Sequence, residues 1–315
     1  MKELQDKYIR FDWAIKRLLR QKANFSVLEG FLTVFIGEQI KIVEILESES
    51  NQLSADDKFN RVDIKAKNSK DEIIIIEIQN TRELYYLERI LYGVAKTITE
   101  HISLGEKYYQ VKKIYSISVL YFDIGKGADF LYHGQNQFIG VHTGDQLQVN
   151  VKEQGAIRTR MPSEIFPEYI LIRVNEFNKV AVNPIEEWME YLKNGVIKPD
   201  TKAPGLSEAR EKLKYYSMTP QERHAYDEHL NAVMIQNDVL DTAKLEGREE
   251  GRAEGRAEGR AEGRAEGRAE GLTEGRAEGE AKAKLETARN MKALGLSMEI
   301  IRQATGLSCE EIEKL

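Results

Sequence analysis

The chain has 315 residues, of which 41% are hydrophobic and 31% charged, and its formal net charge is -6 at pH 7. This globular composition with an acidic balance counts against a protein that coats nucleic acid through overall positive charge. A single cysteine excludes an internal disulfide bond and a cysteine cluster for zinc. The longest aliphatic run, residues 73–76, is far shorter than the roughly 20 residues that span a bilayer, and the N-terminal segment lacks the apolar stretch of a signal peptide. We therefore expect a soluble, cytoplasmic protein with no membrane partner.

Hydrophobic periodicity and capping residues predict alternating helices and strands over the first half of the chain. Four consecutive isoleucines at 73–76 are apolar on both faces of a strand, which is typical of a central strand covered by helices on both sides. The order helix, three strands, helix, strand indicates an α/β sandwich around a mixed sheet. The predicted elements are helices over 10–22 and 24–37, a strand over 40–46, hairpin strands over 60–68 and 71–80, a helix over 83–104, a strand over 112–124, and β segments near 129–142, 146–153 and 169–176.

The helix predicted over residues 83–104 has two contrasting faces. The apolar face, predicted to be buried, carries Leu84, Leu87, Leu91, Val94, Ile98 and Ile102. The opposite face carries a polar and aromatic stripe made of Tyr85, Arg89, Tyr92 and Lys96. The cations of this stripe could contact phosphate, and its tyrosines could contact sugar or base. The alternative is an ordinary solvent-exposed face.

A low-complexity repeat distinguishes the C-terminal part of the chain. Residues 247–278 are eight tandem Gly-x-x-Glu tetrads, mostly Gly-Arg-Ala-Glu. Glycine costs about 1 kcal/mol per helical position relative to alanine, so the eight glycines cost a helix roughly 8 kcal/mol. Arg and Glu lie two residues apart and give each other little support on a helix. Two interpretations stay open: a charged flexible spacer, and a helix whose glycine rows let partner helices approach closely.

Helix signals flank the repeat on both sides. Pro184 begins a short predicted helix, and Thr219 with Glu222 forms a capping box that begins another. After the repeat, residues 281–294 are expected to be helical. Two short helices that begin at Ser297 and Ser308 then complete a small helix-turn-helix-like unit.

The predicted hairpin carries three candidate site residues, of which the two carboxylates lie among apolar residues. Asp63 is on the first strand, while Glu77 and Gln79 are on the second strand and, being two residues apart, share one face. A buried carboxylate is costly unless it is paired or binds a metal. A divalent cation between two converging carboxylates would remove their repulsion, and oxygen ligands favour Mg²⁺ or Mn²⁺. Such a metal can activate water and stabilise the charge that develops on a phosphodiester during cleavage. The alternative is a structural ion pair with Lys65 or Arg61.

The spacing of Asp63 from Glu77-Ile78-Gln79 resembles the Asp…Glu-x-Lys signature of the PD-(D/E)XK nuclease superfamily, and most closely its recombination-promoting nuclease or transposase family. Gln79 stands where the signature has lysine; glutamine carries no positive charge but can orient a water molecule. The similarity also includes the opening at residues 11–16, residues Tyr86, Arg89 and Tyr92 after the motif, and the tail at residues 305–308.

This resemblance implies an α/β fold with a restriction-endonuclease-like α-β-β-β-α-β core and a mixed central sheet, followed here by a C-terminal helical extension. It also implies DNA as the partner and Mg²⁺ as the cofactor, with Mn²⁺ as a second possible ion. Asp63, Glu77 and the backbone carbonyl of Ile78 are the implied metal ligands. Asp63, Glu77 and Gln79 are the implied catalytic residues.

Two residues of the first helix are further candidates. Asp12 is either a first-turn acid of the helix or an outer contact to metal or water. Lys16, one turn later, is either a phosphate contact or a surface lysine.

The expected organisation is a nuclease domain over 1–200, a helical connector over 201–246, a tetrad-repeat spacer or stalk over 247–280, and a small C-terminal unit over 281–315. The predicted function is Mg²⁺-dependent DNA cleavage in recombination or mobile-element processes, and the process follows from the resemblance alone. One alternative is a catalytically weak DNA-binding protein. The other is an oligomeric assembly factor that uses the repeat as a stalk.

Overall fold

The computed structural model describes residues 8–48, 62–102, 107–153 and 155–315. The chain divides into two compact units, Met1–Val233 and Met234–Leu315. In the described ranges, no helix combines the length and the hydropathy that crossing a membrane requires.

The first unit contains both strands and helices. The strands are β1 (Ile42–Leu46), β2 (Ile64–Asn68), β3 (Ile73–Gln79), β4 (Ile114–Leu120), β5 (Leu131–Gly134), β6 (Val149–Glu153), β7 (Ala156–Arg160) and β8 (Glu168–Arg173). The α-helices of the described ranges are α1 (Phe11–Arg17), α2 (Phe25–Ile36), α3 (Tyr86–Glu100), α4 (Pro184–Asn194), α5 (Leu206–Lys212), α6 (Pro220–Ala293), α7 (Met298–Thr305) and α8 (Cys309–Glu313).

Six strands form one mixed sheet in the order β1-β2-β3-β4-β8-β5, while β6 pairs separately with β7. Strands β1, β2 and β3 are antiparallel neighbours, β3, β4 and β8 run parallel, and β5 is antiparallel to β8. The isoleucines of β3 face two cores, because Ile74 and Ile76 join the largest cluster while Ile73 and Ile75 pack with Val94 of α3. The prediction of a central strand covered on both faces is confirmed.

Aromatic side chains from α1, α2 and α4 fill the larger core. The ring centroids of Phe11 and Phe31 lie 4.8 Å apart, and those of Phe31 and Trp188 lie 5.2 Å apart. Leu206 and Tyr226 are buried in the same cluster. The core of the first unit therefore continues past residue 200, into the stretch expected to be a connector.

The face that α3 buries agrees only in part with the predicted apolar face: Val94 is buried and Ile98 is partly buried against the same core, but the prediction was wrong for the three leucines. Leu84, Leu87 and Leu91 are 78%, 53% and 60% exposed. The buried residues of the helix are Tyr86, Ile90, Gly93, Val94 and Thr97. This face fits the sheet because small side chains allow close packing and the Tyr86 hydroxyl finds a polar partner there.

Several predicted boundaries also shift. Helix α1 ends at Arg17, short of residue 22, and the Asn24 side chain donates a hydrogen bond to the carbonyl of Leu18 after the helix. Strand β7 was not predicted, because its residues are mostly exposed and show no apolar alternation. The predicted end of α3 near Gly105, and residues 60–61 of the predicted hairpin, lie outside the described ranges.

The capping signals in the C-terminal part are confirmed. The amide of Thr219 donates to the Glu222 carboxylate at 2.8 Å where α6 begins, and the amide of Glu311 donates to the Ser308 hydroxyl at 3.3 Å where α8 begins. The tetrads lie within α6, so the structure gives the helical form of the two interpretations. The second unit has a small core around three buried residues, Ala288, Ile301 and Ile312.

Candidate active site

The candidate site lies where β2 and β3 separate. The ladder between them ends at the pair Ile64 and Ile76, and the chain bends at Asp63. Beyond that pair, the backbone N–H of Ile78 donates to Oδ2 of Asp63 at 2.7 Å. The carbonyl of Gln79 accepts from a backbone N–H on the β4 side. Because successive peptide groups of a strand point to opposite sides, the carbonyl of Ile78 faces the side on which Asp63 lies.

A cleft of about 400 Å³ opens at this point. Its walls combine two carboxylates with three cationic side chains, the polar end of β3 and one valine. The lining residues are Lys16, Arg20, Val62, Asp63, Glu77, Ile78, Gln79 and Arg89. The cleft thus combines carboxylate oxygens with cationic side chains.

Glu77 is the more buried of the two carboxylates, with a side chain that is 8% exposed. The Tyr86 hydroxyl donates to Oε2 of Glu77 at 3.3 Å, and the guanidinium of Arg89 lies 3.8 Å from the same oxygen. Burial raises the pKa of Glu77 above its ordinary value, and the charge of Asp63 raises it further, while Arg89 and Tyr86 oppose these effects without cancelling them. A bound cation would favour the ionised carboxylate.

Asp63 has a cationic neighbour on α1. Nζ of Lys16 lies 3.4 Å from Oδ1 of Asp63, and the lysine side chain is 51% exposed. Lys65, the alternative partner considered for the carboxylates, instead pairs with Glu100 at 2.7 Å. Arg61, the other alternative, lies outside the described ranges.

Asp12 does not line the cleft. It is buried in the first turn of α1, where its carboxylate accepts hydrogen bonds from Arg10 at 3.0 Å, from the amide of Trp13 at 3.0 Å and from Asn80 at 3.2 Å. Nε2 of His229 lies 3.1 Å from the same carboxylate. The structure therefore places Asp12 in a buried polar network that includes Asn80, the residue immediately after β3.

One residue of the polar stripe predicted on α3 lines the cleft. Arg89 lines the cleft, whereas Tyr85, Tyr92 and Lys96 are not among its lining residues. The exposed fraction of Tyr85 is 73%.

Two residues of the site were missed by sequence reasoning. Arg20 lines the cleft, and its guanidinium donates to the Ser48 hydroxyl at 2.9 Å. Arg20 lies beyond the end of α1, so its spacing of four residues from Lys16 does not determine its position. Tyr86 was missed because its position depends on which face of α3 is buried.

The donor set suits a hard divalent cation with few protein ligands. The described ranges contain no group of three or more His, Cys, Asp or Glu side chains placed to hold a metal ion. The cleft offers two carboxylates and one backbone carbonyl, which are the oxygen donors that Mg²⁺ and Mn²⁺ accept while they keep several waters. Such an ion would offset the free-energy cost of keeping the buried Glu77 carboxylate ionised.

Comparison with known protein families identifies a match to the first half of the chain. Residues 9–154 match the family model described as PD-(D/E)XK nuclease family transposase. The matched segment runs from α1 through β6 and includes every residue that lines the cleft. No curated protein and no solved structure matches the chain. The expected superfamily and the restriction-endonuclease-like fold, with its mixed six-stranded sheet, are confirmed.

Proposed function

Since residues 9–154 belong to the PD-(D/E)XK nuclease family transposases, we propose that this protein is a Mg²⁺-dependent DNA endonuclease that acts in recombination or mobile-element processes. Its active site is the cleft around Asp63 and Glu77. The observation that supports this most directly is the end of the β2–β3 ladder, where two carboxylates and the Ile78 carbonyl converge. The family match by itself indicates a nuclease that hydrolyses nucleic acid.

Asp63, Glu77 and the carbonyl of Ile78 would hold Mg²⁺, or Mn²⁺ in its place. When bound, the ion supplies a more acidic water and stabilises the charge on the phosphodiester. Asp63 is fixed for this role by the Ile78 amide, which occupies one of its oxygens and orients the other. The hydrogen bond from the Tyr86 hydroxyl holds the Glu77 carboxylate in position.

The cationic side chains of the cleft bind and orient the DNA backbone. Lys16 and Arg20 project from the α1 side, and Arg89 projects from α3. Phosphate contacts of this kind position a duplex without reading its sequence, so we expect low sequence specificity. Gln79 orients a water molecule, and Lys16 supplies the positive charge that Gln79 lacks.

The test is cleavage of supercoiled plasmid with Mg²⁺, with Mn²⁺ and with EDTA, by the wild type and by Asp63→Asn and Glu77→Gln. We expect metal-dependent nicking or linearisation that falls on the order of a hundredfold or more in both variants, because each removes a ligand charge worth several kcal/mol in the transition state. The matched controls are Asp71→Asn in the hairpin turn and Glu88→Gln on the exposed side of α3, which make the same chemical changes outside the cleft.

Circular dichroism and thermal unfolding establish that all four variants are folded. A wild type that leaves DNA intact with either metal contradicts the proposal. Cleavage by Asp63→Asn and Glu77→Gln at the rate of the control variants would also contradict it, since the carboxylates would then be structural.

A further inference from the structure

Each carboxylate of the cleft has a cationic partner, but the two partners are held differently. Nζ of Lys16 lies 3.4 Å from Oδ1 of Asp63, and Asp63 is the one carboxylate with which Lys16 pairs among the described residues. Nη2 of Arg89 lies 3.8 Å from Oε2 of Glu77, and Nη1 of the same guanidinium donates to the Glu83 carboxylate at 2.8 Å. Lys16 can therefore leave its partner without breaking a second ion pair, whereas Arg89 stays anchored.

The Asp63 oxygen that faces Lys16 is also the one left for a metal ion. Oδ2 of Asp63 accepts the hydrogen bond from the Ile78 amide at 2.7 Å, so Oδ1 is the oxygen turned toward other groups. Two cations that share one carboxylate oxygen repel each other. The ammonium of Lys16 and a metal ion therefore compete for Oδ1.

The pair between Lys16 and Asp63 is of a kind that exchanges readily. The lysine side chain is 51% exposed and the aspartate side chain 20% exposed. Ion pairs in contact with solvent contribute little to stability, and the lysine ammonium is a point charge on a flexible four-carbon stem. Lys16 also lines the cleft, so an ammonium released from Asp63 stays within the space that the DNA backbone is proposed to enter.

We propose that Lys16 is exchanged between two anions. It pairs with Asp63 while no metal ion is bound, and it contacts a DNA phosphate once an ion takes its place at Asp63. The exchange couples the two ligands, because binding of the ion frees a cation for the phosphate, and by linkage DNA raises the affinity for the ion by the same factor. This inference rests on the proposed nuclease function and concerns the regulation of its site.

Calorimetric titration of the full chain with Mn²⁺ alone tests the first half of the exchange. Lys16→Gln is expected to raise the Mn²⁺ affinity about threefold to tenfold, because Oδ1 of Asp63 no longer has a competing cation. The matched control is Arg20→Gln, which removes a positive charge from the same cleft, although this guanidinium donates to the Ser48 hydroxyl and not to a carboxylate. The control is expected to raise the affinity about twofold or less, since its charge acts on the ion only from a distance. Asp63→Asn gives the background, because it removes the carboxylate itself.

Fluorescence anisotropy with a labelled DNA duplex tests the second half. The DNA affinity is measured in EDTA and in Ca²⁺, a hard cation that accepts the same oxygen ligands, before electrophoresis detects any cleavage. The ratio of the two affinities gives the coupling between ion and DNA. Lys16→Gln should reduce this ratio about threefold or more, because no ammonium is left to be released to phosphate. Arg20→Gln should lower both affinities and keep the ratio, since its phosphate contact does not depend on the ion.

The results separate this inference from the nuclease proposal. A wild type that binds no Mn²⁺ overturns both. If the wild type binds Mn²⁺ and Asp63→Asn does not, equal effects of Lys16→Gln and Arg20→Gln on the Mn²⁺ affinity or on the coupling ratio overturn the exchange and leave the metal site in place. Thermal unfolding checks that the variants are folded, which is expected for Lys16→Gln because half of the side chain is exposed.

Discussion

Tyr86 makes the contact that most directly fixes Glu77. Its hydroxyl donates to Oε2 of Glu77, and its ring is buried edge-on against Phe122 with centroids 5.9 Å apart. Burial, together with the charge of Glu77, raises the pKa of Tyr86 well above its ordinary value. The hydroxyl therefore stays protonated and acts as a permanent donor to the carboxylate.

Tyr86→Phe is expected to weaken metal binding while leaving the fold intact. The ring packing is kept, but Glu77 loses the donor that orients it, and loss of such an outer contact typically costs about 10- to 100-fold in metal affinity. Mn²⁺ binding measured by calorimetry or paramagnetic resonance gives the affinity without DNA. Tyr85→Phe is the control, because the same hydroxyl is removed from an adjacent side chain that is 73% exposed. Equal affinities for the two variants would contradict a positioning role for Tyr86.

At this scale, the sequence predicts the residues whose position depends on strand alternation. Glu77 and Gln79 line the cleft because they lie two apart on β3, and Asp63 joins them through the hairpin register. The position of Arg20 depends on where α1 ends, and the position of Tyr86 depends on which face of α3 is buried. Charge and spacing alone determine neither. The metal ligands and catalytic roles assigned to these residues stay predictions.

Helix α3 illustrates what hydrophobic periodicity does and does not determine. The helix itself is predicted, but the leucines at 84, 87 and 91 are exposed, and the buried face includes Gly93 and Thr97. A row of leucines indicates an apolar helix face, but it does not determine whether the chain's own sheet covers that face. Small and polar residues are buried where a neighbouring element leaves little room or offers a hydrogen bond.

The packing of α2 against α5 depends on two glycines. A Cβ atom on Gly30 would lie 2.3 Å from Cα of Gly205, which itself has a φ of +81°. Gly30→Ala is therefore expected to lower the free energy of unfolding of the first unit by about 3 kcal/mol through overpacking. Urea unfolding measures the change. Gly134→Ala is the control, since its Cβ would meet its nearest neighbour at an ordinary 3.6 Å. Unchanged stability in Gly30→Ala would show that the two helices can separate at no cost.

Asp12 joins distant parts of the first unit. Its carboxylate contacts Arg10 before α1, Asn80 immediately after β3, and His229 in α6. Burial by itself raises the pKa of Asp12, but the hydrogen bond with His229 and the charge of Arg10 outweigh burial and hold the pKa well below its ordinary value. The buried carboxylate thus connects the strand that carries Glu77 with the first turns of α6.

Asp12→Asn is expected to lower the free energy of unfolding by about 3 to 5 kcal/mol at neutral pH, because Arg10 is left without its buried partner. The folded-state pKa of Asp12 is depressed, so its stabilising effect is present above the ordinary pKa of 3.8 and is lost as pH falls further. The difference in free energy of unfolding between wild type and variant, measured by urea unfolding at a series of pH values, should therefore shrink under acid conditions.

The Mn²⁺ affinity of Asp12→Asn should stay near that of the wild type, since Asp12 does not line the cleft. A variant with normal stability and weakened Mn²⁺ binding would instead assign Asp12 to the metal site.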